Sequence, residues 1–323
     1  MKSKEINYFA AYAWLVVGIN LLVILWGAYV RATGSGAGCG SHWPLCDGVV
    51  IPRPEKIETI IEFLHRITSG IALLSVSGLL IWSFLKFPKR HAVRAGIGFG
   101  MLFMILEALI GAGLVLFELV GENDSIARAI TGSIHLGNTF FLLASLSLVA
   151  WWSTFGLPFH LEFNSSTLWF LILGLAGTLL LGMSGAIAAL GDTLYPSITL
   201  LEGLRQDFSS TAHILIRLRT LHPFIAVIVS GYLILFVGLI LLRKGSIFEK
   251  WLGWVLVSII GLQILAGIVN VYLLAPIWMQ LVHLFLADIL WITLVLFTAT
   301  IFSNVTTAEE LLLKKQKALF REV

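Results

Sequence analysis

The sequence predicts an all-α integral membrane protein whose eight transmembrane helices form two tandem parallel four-helix bundles. Of its 323 residues, 58% are hydrophobic and 12% are charged, and the mean hydropathy is +0.95. Such a composition excludes an ordinary water-soluble domain, and no nucleotide motif or nucleic-acid-binding patch is present. The apolar residues form eight runs long enough to span a bilayer, which takes about 20 residues. Barrel strands would instead alternate over about 10 residues.

The eight predicted spans follow one another with short connections. They cover Tyr8 to Val30, Ile61 to Leu85, Ala95 to Phe117, Gly132 to Phe155, Leu168 to Leu190, Leu215 to Leu242, Trp251 to Leu274 and Ile277 to Phe302. The first run is about 23 residues long and has no small-residue cleavage site after a short core, so we expect it to be a span and not a removable signal.

Charged residues predict the orientation in the cytoplasmic membrane. Lysine and arginine are found at the amino terminus, after the second and sixth spans and in the tail (Lys2, Lys4, Lys86, Lys89, Arg90, Arg94, Arg243, Lys244, Lys250, Lys314, Lys315, Lys317 and Arg321). The loop after the third span is instead acidic, with Glu118, Glu122 and Asp124. The positive-inside rule therefore places both termini in the cytoplasm. The connection 154–166 contains no Lys or Arg and does not test this topology.

The two cysteines, Cys39 and Cys46, both lie in the predicted outward loop between the first two spans. An oxidising outer compartment permits them to pair. Two interpretations remain open at this point, a staple that closes a small loop and a redox pair that exchanges electrons near a cofactor.

Matching motifs indicate an internal duplication. The third and seventh spans carry Leu106–Gly111 and Leu262–Gly267, which agree at three of six positions, and Ile134–Leu136 matches Val282–Leu284. Equivalent residues are 148 to 157 positions apart, with four spans between them, so both halves have the same orientation. We expect an amino-terminal bundle over residues 1–156 and a carboxy-terminal bundle over 167–323.

Four histidines, at matching places in the two halves, stand near the starts of apolar runs. They are His65, His135, His222 and His283, and the topology puts all four near the outer face. A single intramembrane histidine is often satisfied by a hydrogen bond to a neighbouring helix, but four at equivalent positions favour ligands. Within each bundle, two of them could hold a haem iron from opposite sides. His213 precedes His222 by nine residues, which is two and a half helical turns and puts the two on opposite faces of a continuous helix. We therefore leave His213 out of the ligand set.

The surroundings of the histidines differ between the halves. Glu62 precedes His65 by three residues, whereas Arg219 stands at the equivalent place before His222. A carboxylate beside a haem can relay protons, and a cation suits a haem propionate. The simpler alternatives are that Glu62 pairs with Arg66 or Arg31, and that Arg217 and Arg219 are snorkelling at the membrane edge.

Two further acids, Glu107 and Asp288, fall inside the predicted spans. We expect both to serve in hydrogen bonds that pack helices together.

Five separated motifs resemble the haem A synthase family over essentially the whole chain. They are the loop Gly27–Gly36 running into Cys39, the segment Trp43–Cys46, the element Glu62–Arg66, the element Leu221–Pro223, and the two His-Leu pairs at His135 and His283. The resemblance implies an eight-helix membrane oxidoreductase that converts the substrate haem O to haem A for terminal oxidases, by oxidising the C8 methyl group to a formyl.

The same resemblance implies roles for individual residues. His65 and His135 would flank the substrate haem, His222 and His283 would ligate the iron of a resident haem b, and Glu62 would be the catalytic acid. Arg66, Arg217 and Arg219 are candidates for propionate contacts, and Cys39 with Cys46 matches the branch of the family that has a pair of cysteines in this loop, as a disulfide or a redox pair. The implied partners are haem O, the lipid bilayer, haem O synthase and an electron-transfer partner.

Two other classes compete with this assignment. A bis-histidine cytochrome with two permanent haems b accounts for the four histidines, but leaves Glu62 and the cysteines of one half unexplained. A haem or lipid carrier without redox chemistry is supported only by the repeat.

Overall fold

A computed structural model of the chain describes residues 7–53, 56–156, 165–243 and 246–303, and helices dominate these ranges. The helices are α1 (Tyr8–Ala32), α2 (Ile57–Lys86), α3 (Ala92–Leu116), α4 (Ile126–Phe155), α5 (Ser165–Leu194), α6 (Leu200–Asp207), α7 (Ile214–Arg219), α8 (Leu221–Leu241), α9 (Ile247–Tyr272) and α10 (Ile277–Phe302). Eight helical segments are long and apolar enough to cross a membrane, with α7 and α8 together forming the sixth. The predicted fold class, an all-α multi-pass membrane protein with eight spans, is confirmed.

Several helices begin earlier than hydropathy alone predicts. The helix α4 starts at Ile126, where the side chain of Ser125 accepts a hydrogen bond from the backbone N–H of Arg128. Ser246 caps α9 in the same way. These caps satisfy backbone donors that have no partner inside the helix, and polar first turns lie where the bilayer meets water, so an apolar window misses them.

The sixth span is interrupted near the outer face predicted for it. Thr220 separates α7 from α8, and Pro223 is the third residue of α8. Proline has no N–H to donate to the carbonyl of Arg219, four residues earlier, so a continuous helix is disfavoured here. His213 accepts a hydrogen bond from the N–H of Leu215 and is the N-cap of α7. The sequence argument placed His213 and His222 on opposite faces of one continuous helix, but His213 lies before the helix begins.

The helices α4 and α10 form the centre of the molecule. In each, 61% of the most apolar window is buried, against 17% to 33% in the other spans. Trp291 of α10 donates a 2.6 Å hydrogen bond to the carbonyl of Phe140 in α4, and the two rings stack with their centroids 5.0 Å apart. One hydrophobic cluster contains residues of both halves. The core is therefore continuous between the two predicted bundles.

Parts of the predicted topology lie outside the described residues. These are residues 1–6, the connector 157–164 and the tail 304–323, which contain both termini and the boundary between the expected bundles.

Candidate haem site

Each of the four predicted histidine ligands packs beside a glycine of a neighbouring helix. The pairs are Gly27 with His65, Gly111 with His135, Gly185 with His222, and Gly267 with His283. A methyl group added to these glycines would lie 3.0, 3.9, 3.1 and 3.2 Å, in that order, from the imidazole Cε1 atom. Three of these contacts are tighter than ordinary packing, so glycine is what lets the imidazole rings approach the neighbouring backbone this closely.

Sequence reasoning missed the role of these glycines, although a signal for it was present. Gly27-Ala28 and Gly185-Ala186 are 158 residues apart, close to the 157 residues between His65 and His222. The other two glycines end the matched six-residue segments of the third and seventh spans. Glycines that repeat with the same period as the histidines indicate sites of close approach.

The second histidine pair has the spacing that a shared metal requires. The imidazole centroids of His222 and His283 are 6.3 Å apart and their planes are at 88°. Two imidazoles whose nitrogens lie about 2 Å from a metal, on opposite sides of it, have ring centres about 6 Å apart. His222 Nδ1 lies 3.1 Å from the hydroxyl oxygen of Ser184. This pair therefore fits a bis-histidine haem, whose remaining four ligands come from the porphyrin.

Buried ring nitrogens without hydrogen bonds support the same assignment. The Nδ1 atoms of His65 and His283 are inaccessible to solvent and have no hydrogen-bond partner in the described structure. An unpaired buried polar atom costs about 1–3 kcal/mol, which a structural histidine would avoid by pairing. His135 Nδ1 also lacks a hydrogen bond of good geometry, but it lies 3.4 Å from Glu107 Oε1. The donor set of both pairs fits haem iron.

Glu62 is buried, with 3% of its surface exposed, and both of its carboxylate oxygens are engaged. Its Oε2 accepts a 2.8 Å hydrogen bond from the N–H of Cys39, and its Oε1 accepts from Arg66 Nη2 at 2.5 Å and Nε at 3.2 Å. Of the two partners considered from sequence, Arg66 is the one that pairs. Glu62 therefore connects the helix that carries His65 to the loop between α1 and α2.

Cys39 and Cys46 form a disulfide, with Cα atoms 4.5 Å apart, and both residues are buried. The loop that they close is held by Arg66, whose Nη1 donates to the carbonyls of His42 at 2.7 Å and Leu45 at 2.6 Å. The two cysteines therefore pair, and the loop is tied directly to the Glu62–Arg66 ion pair.

The other candidate arginines differ in their surroundings. Arg219 forms salt bridges with Asp192 at 3.2 Å and Asp207 at 2.6 Å, whereas Arg217 is exposed. Arg31 is not a partner of Glu62. Its guanidinium donates to the carbonyl of Ala189, to the hydroxyl of Thr193 and to the side-chain oxygen of Gln280.

The two acids inside spans behave differently. Glu107 accepts hydrogen bonds from Asn138 at 2.5 Å and from Thr139 at 2.6 Å, so the expected helix-packing role is confirmed. Asp288 is fully buried, and neither of its oxygens has a hydrogen-bond partner in the described residues. The expected helix-packing hydrogen bond is therefore wrong for Asp288, because the helix packing brings no donor within hydrogen-bond distance of its carboxylate.

The eight spans and the two histidine pairs define a multi-pass membrane protein with candidate bis-histidine sites. The family model COX15-CtaA, described as cytochrome oxidase assembly protein, matches residues 10–295. The chain belongs to this family, which confirms the relationship predicted from its motifs.

Curated relatives carry two different names. A protein named protoheme IX farnesyltransferase, from Thermus thermophilus, is 49% identical over 300 residues, which are 93% of this chain and 49% of that protein. A heme A synthase from an Exiguobacterium species is 34% identical over 146 residues, 45% of each chain. A heme A synthase from Alkalihalophilus pseudofirmus is 39% identical over 129 residues, 40% of this chain and 41% of the other. The chain thus spans about half the length of the first of these relatives.

Proposed function

We propose that this protein is a haem A synthase, a haem-dependent membrane oxidoreductase that oxidises the C8 methyl group of haem O to a formyl group. Two successive hydroxylations, each a two-electron oxidation that adds the oxygen of one water and releases two protons, would give a gem-diol, which loses water to leave the aldehyde. The four electrons removed in all would pass to the electron-transfer partner. The observation that carries the proposal is the asymmetry of the two histidine pairs. Only the first lies beside a buried carboxylate and a disulfide loop that are bonded to one another.

In this proposal the first half, residues 1–156, binds the substrate. His65 and His135 hold the iron of haem O between α2 and α4, and Glu62 is the acid of the catalytic site. The hydrogen bond from Cys39 and the ion pair with Arg66 fix where the Glu62 carboxylate lies. A buried acid with a defined position can hold or pass a proton during oxidation.

The second half, residues 167–323, holds a resident haem b through His222 and His283. Haem b supplies one-electron chemistry when it is bound. Arg66, Arg217 and Arg219 are the proposed propionate contacts. Arg217 is exposed, while Arg66 and Arg219 are already engaged by carboxylates, which favours Arg217 for a direct contact and the other two for orienting roles.

Haem O carries a long apolar tail, and we propose that it enters from the lipid side. An apolar groove between α1 and α10 is lined by Leu22, Leu25, Trp26, Tyr29 and Leu281. On α1 the groove flanks Gly27, the glycine that packs against His65, and on α10 it ends two residues before His283. An isoprenoid chain could lie in it without crossing water.

The orientation and partners complete the proposal. Both termini would be cytoplasmic and both haem sites would lie near the outer face, as the basic loops predict. The Thermus relative matches this chain over only 49% of its length and is named a farnesyltransferase of protoheme IX. A relative that contains a region like this chain and is named a farnesyltransferase supports haem O synthase as the partner that supplies the substrate. An electron-transfer partner is the second partner that we propose.

Extraction and chromatography of the haems from the purified protein test this function. A haem A synthase should yield haem b together with haem O or haem A. The competing class, a di-haem b cytochrome, is favoured by the similar glycine contacts of the two histidine pairs, and it should yield two equivalents of haem b alone. That result would overturn the proposal.

Ligand variants test the two sites separately. His222→Ala or His283→Ala should remove the resident haem b signal from the reduced-minus-oxidised spectrum. His65→Ala should leave that signal in place and abolish haem A formation. An unchanged spectrum in the His222 and His283 variants would count against the ligand assignment.

A further inference from the structure

The two histidine pairs differ in the side chain that faces one member of each. Glu107 Oε1 of α3 lies 3.4 Å from His135 Nδ1, and Gln263 Nε2 of α9 lies 3.4 Å from His283 Nε2. Glu107 and Gln263 are 156 residues apart and occupy the same position in the matched segments of the third and seventh spans. The repeat therefore places a carboxylate beside Nδ1 of a histidine in one half and a neutral amide beside Nε2 of a histidine in the other.

The carboxylate of Glu107 is held in a defined position. Asn138 Nδ2 donates to its Oε2 at 2.5 Å and Thr139 donates to its Oε1 at 2.6 Å, and both donors lie on α4, within four residues of His135. In the described part of the chain, no lysine or arginine forms an ion pair with Glu107. The imidazole of His135 is thus the side chain that faces Glu107 beside these two neutral donors. By contrast, the Oε1 of Gln263 is buried without a hydrogen-bond partner.

These two side chains impose different states on the imidazole they face. A carboxylate only accepts hydrogen bonds, so it favours the proton on Nδ1 of His135 and leaves the Nε2 lone pair for a metal. The amide of Gln263 can donate or accept, and it faces the other ring nitrogen, so it does not fix a proton on Nδ1 of His283. A carboxylate behind a ligating histidine also fixes the ring and makes the ligand more basic, which favours the more highly charged, oxidised state of the metal.

We propose that Glu107 is a positioning residue, which fixes the tautomer and orientation of His135 and lowers the reduction potential of the haem iron held by the first pair. The first-pair iron would then have a lower reduction potential than the iron held by His222 and His283. This inference rests on the proposed haem sites. It adds a second carboxylate to the substrate half, one that acts on the iron ligand, whereas Glu62 is bound to the outer loop.

The test replaces Glu107 in the full-length protein, purified with its haem and studied by redox titration with electron paramagnetic resonance. His65→Ala and His283→Ala identify which signal belongs to which pair. Glu107→Gln should raise the midpoint potential of the first-pair haem and alter its low-spin resonance, with the second haem unchanged.

Asn138→Ala is the control for a packing role. It removes the hydrogen bond to Oε2, while Thr139 still holds Oε1, the oxygen that faces His135, so it should lower thermal stability without moving the first-pair potential. Equal potentials in the wild type and Glu107→Gln, or the same shift in Asn138→Ala, would overturn the inference. A protein that contains only haem b would refute haem A synthesis, yet the titration would still test Glu107, since it requires only a haem in each pair.

Discussion

Arg31 of α1 donates a 2.6 Å hydrogen bond to the carbonyl oxygen of Ala189 in α5, and the two residues are 158 positions apart. The same separation relates Gly27 to Gly185, the glycines that pack against His65 and His222. Arg31 therefore binds the residue that corresponds to it in the other half. Because Thr193 and Gln280 also accept from its guanidinium, this side chain links the first helix to two helices of the second half.

Replacing Arg31 should loosen the junction between the halves. Arg31→Lys keeps the charge but loses the planar group that reaches three acceptors at once. We expect a loss of about 1.5–3 kcal/mol, the usual range for hydrogen bonds made by a charged group. Thermal unfolding in detergent measures it. Arg205→Lys, on the exposed face of α6, is the control and should change stability by less than about 0.5 kcal/mol. Equal melting temperatures for both variants would contradict the linking role.

The glycines beside the histidines should be intolerant of even one added methyl group. Gly185→Ala and Gly267→Ala would place a carbon 3.1 and 3.2 Å from an imidazole carbon, so the rings must move. We expect a shifted or weakened spectrum of the second haem and an overpacking cost of about 1–3 kcal/mol.

Two other glycines serve as controls for these alanine substitutions. Gly261, also on α9, has no atom within 4 Å of an added carbon, and Gly111 would make only an ordinary 3.9 Å contact. Gly261→Ala should leave the spectrum unchanged and stabilise its helix by up to about 1 kcal/mol. Identical spectra for Gly185→Ala and Gly261→Ala would show that the close approach does not matter.

Glu62 and the disulfide loop should act together. Glu62→Ala should leave the resident haem b bound and block haem A formation, because it removes the acid and releases both the Cys39 N–H and the Arg66 guanidinium. Replacing both cysteines by serine should reproduce part of this loss by freeing the loop that fixes Glu62. Haem chromatography after expression provides the readout, and normal haem A output from Glu62→Ala would refute its proposed role.

A contact between the loop that follows α3 and the end of α5 predicts a measurable titration. The hydroxyl of Tyr195 donates to Asp124 Oδ2 at 2.7 Å, and His213 Nε2 lies 3.6 Å from the same oxygen. Desolvation, and then the hydrogen bond and charge of Asp124, raise the pKa of Tyr195 from 10.0 to about 12. The same hydrogen bond lowers the pKa of Asp124.

The signs of these shifts set two pH windows. The neutral Tyr195 stabilises the fold below pH 10, and this contribution is lost as the pH rises through about 12. The ionised Asp124 contributes above its ordinary pKa of 3.8, and its contribution is lost as the pH falls through the lower folded value. The phenolate absorbance that disappears in Tyr195→Phe should titrate near pH 12, and Asp124→Asn should bring that midpoint back toward 10. A wild-type midpoint at 10 would exclude the contact.

Much of the molecule could be predicted from the sequence because the bilayer imposes simple physical requirements. Apolar runs of about 20 residues must become helices that satisfy their own backbone hydrogen bonds. Histidines in such runs are costly, so their recurrence at similar spacing identified both candidate sites. The family followed from motifs that remain contiguous along the chain, such as Glu62–Arg66.

Only the tertiary structure decided which groups meet. The sequence offered Arg31 and Arg66 equally as partners of Glu62, and packing gave Glu62 to Arg66 and sent Arg31 across to Ala189. It likewise left Asp288 without the hydrogen bond expected for it, while Glu107 reached His135. Hydropathy and repeats depend on each residue and its near neighbours along the chain. The pairing of polar groups depends on the rotation and separation of helices that are far apart in sequence, and these are set by side-chain packing between them.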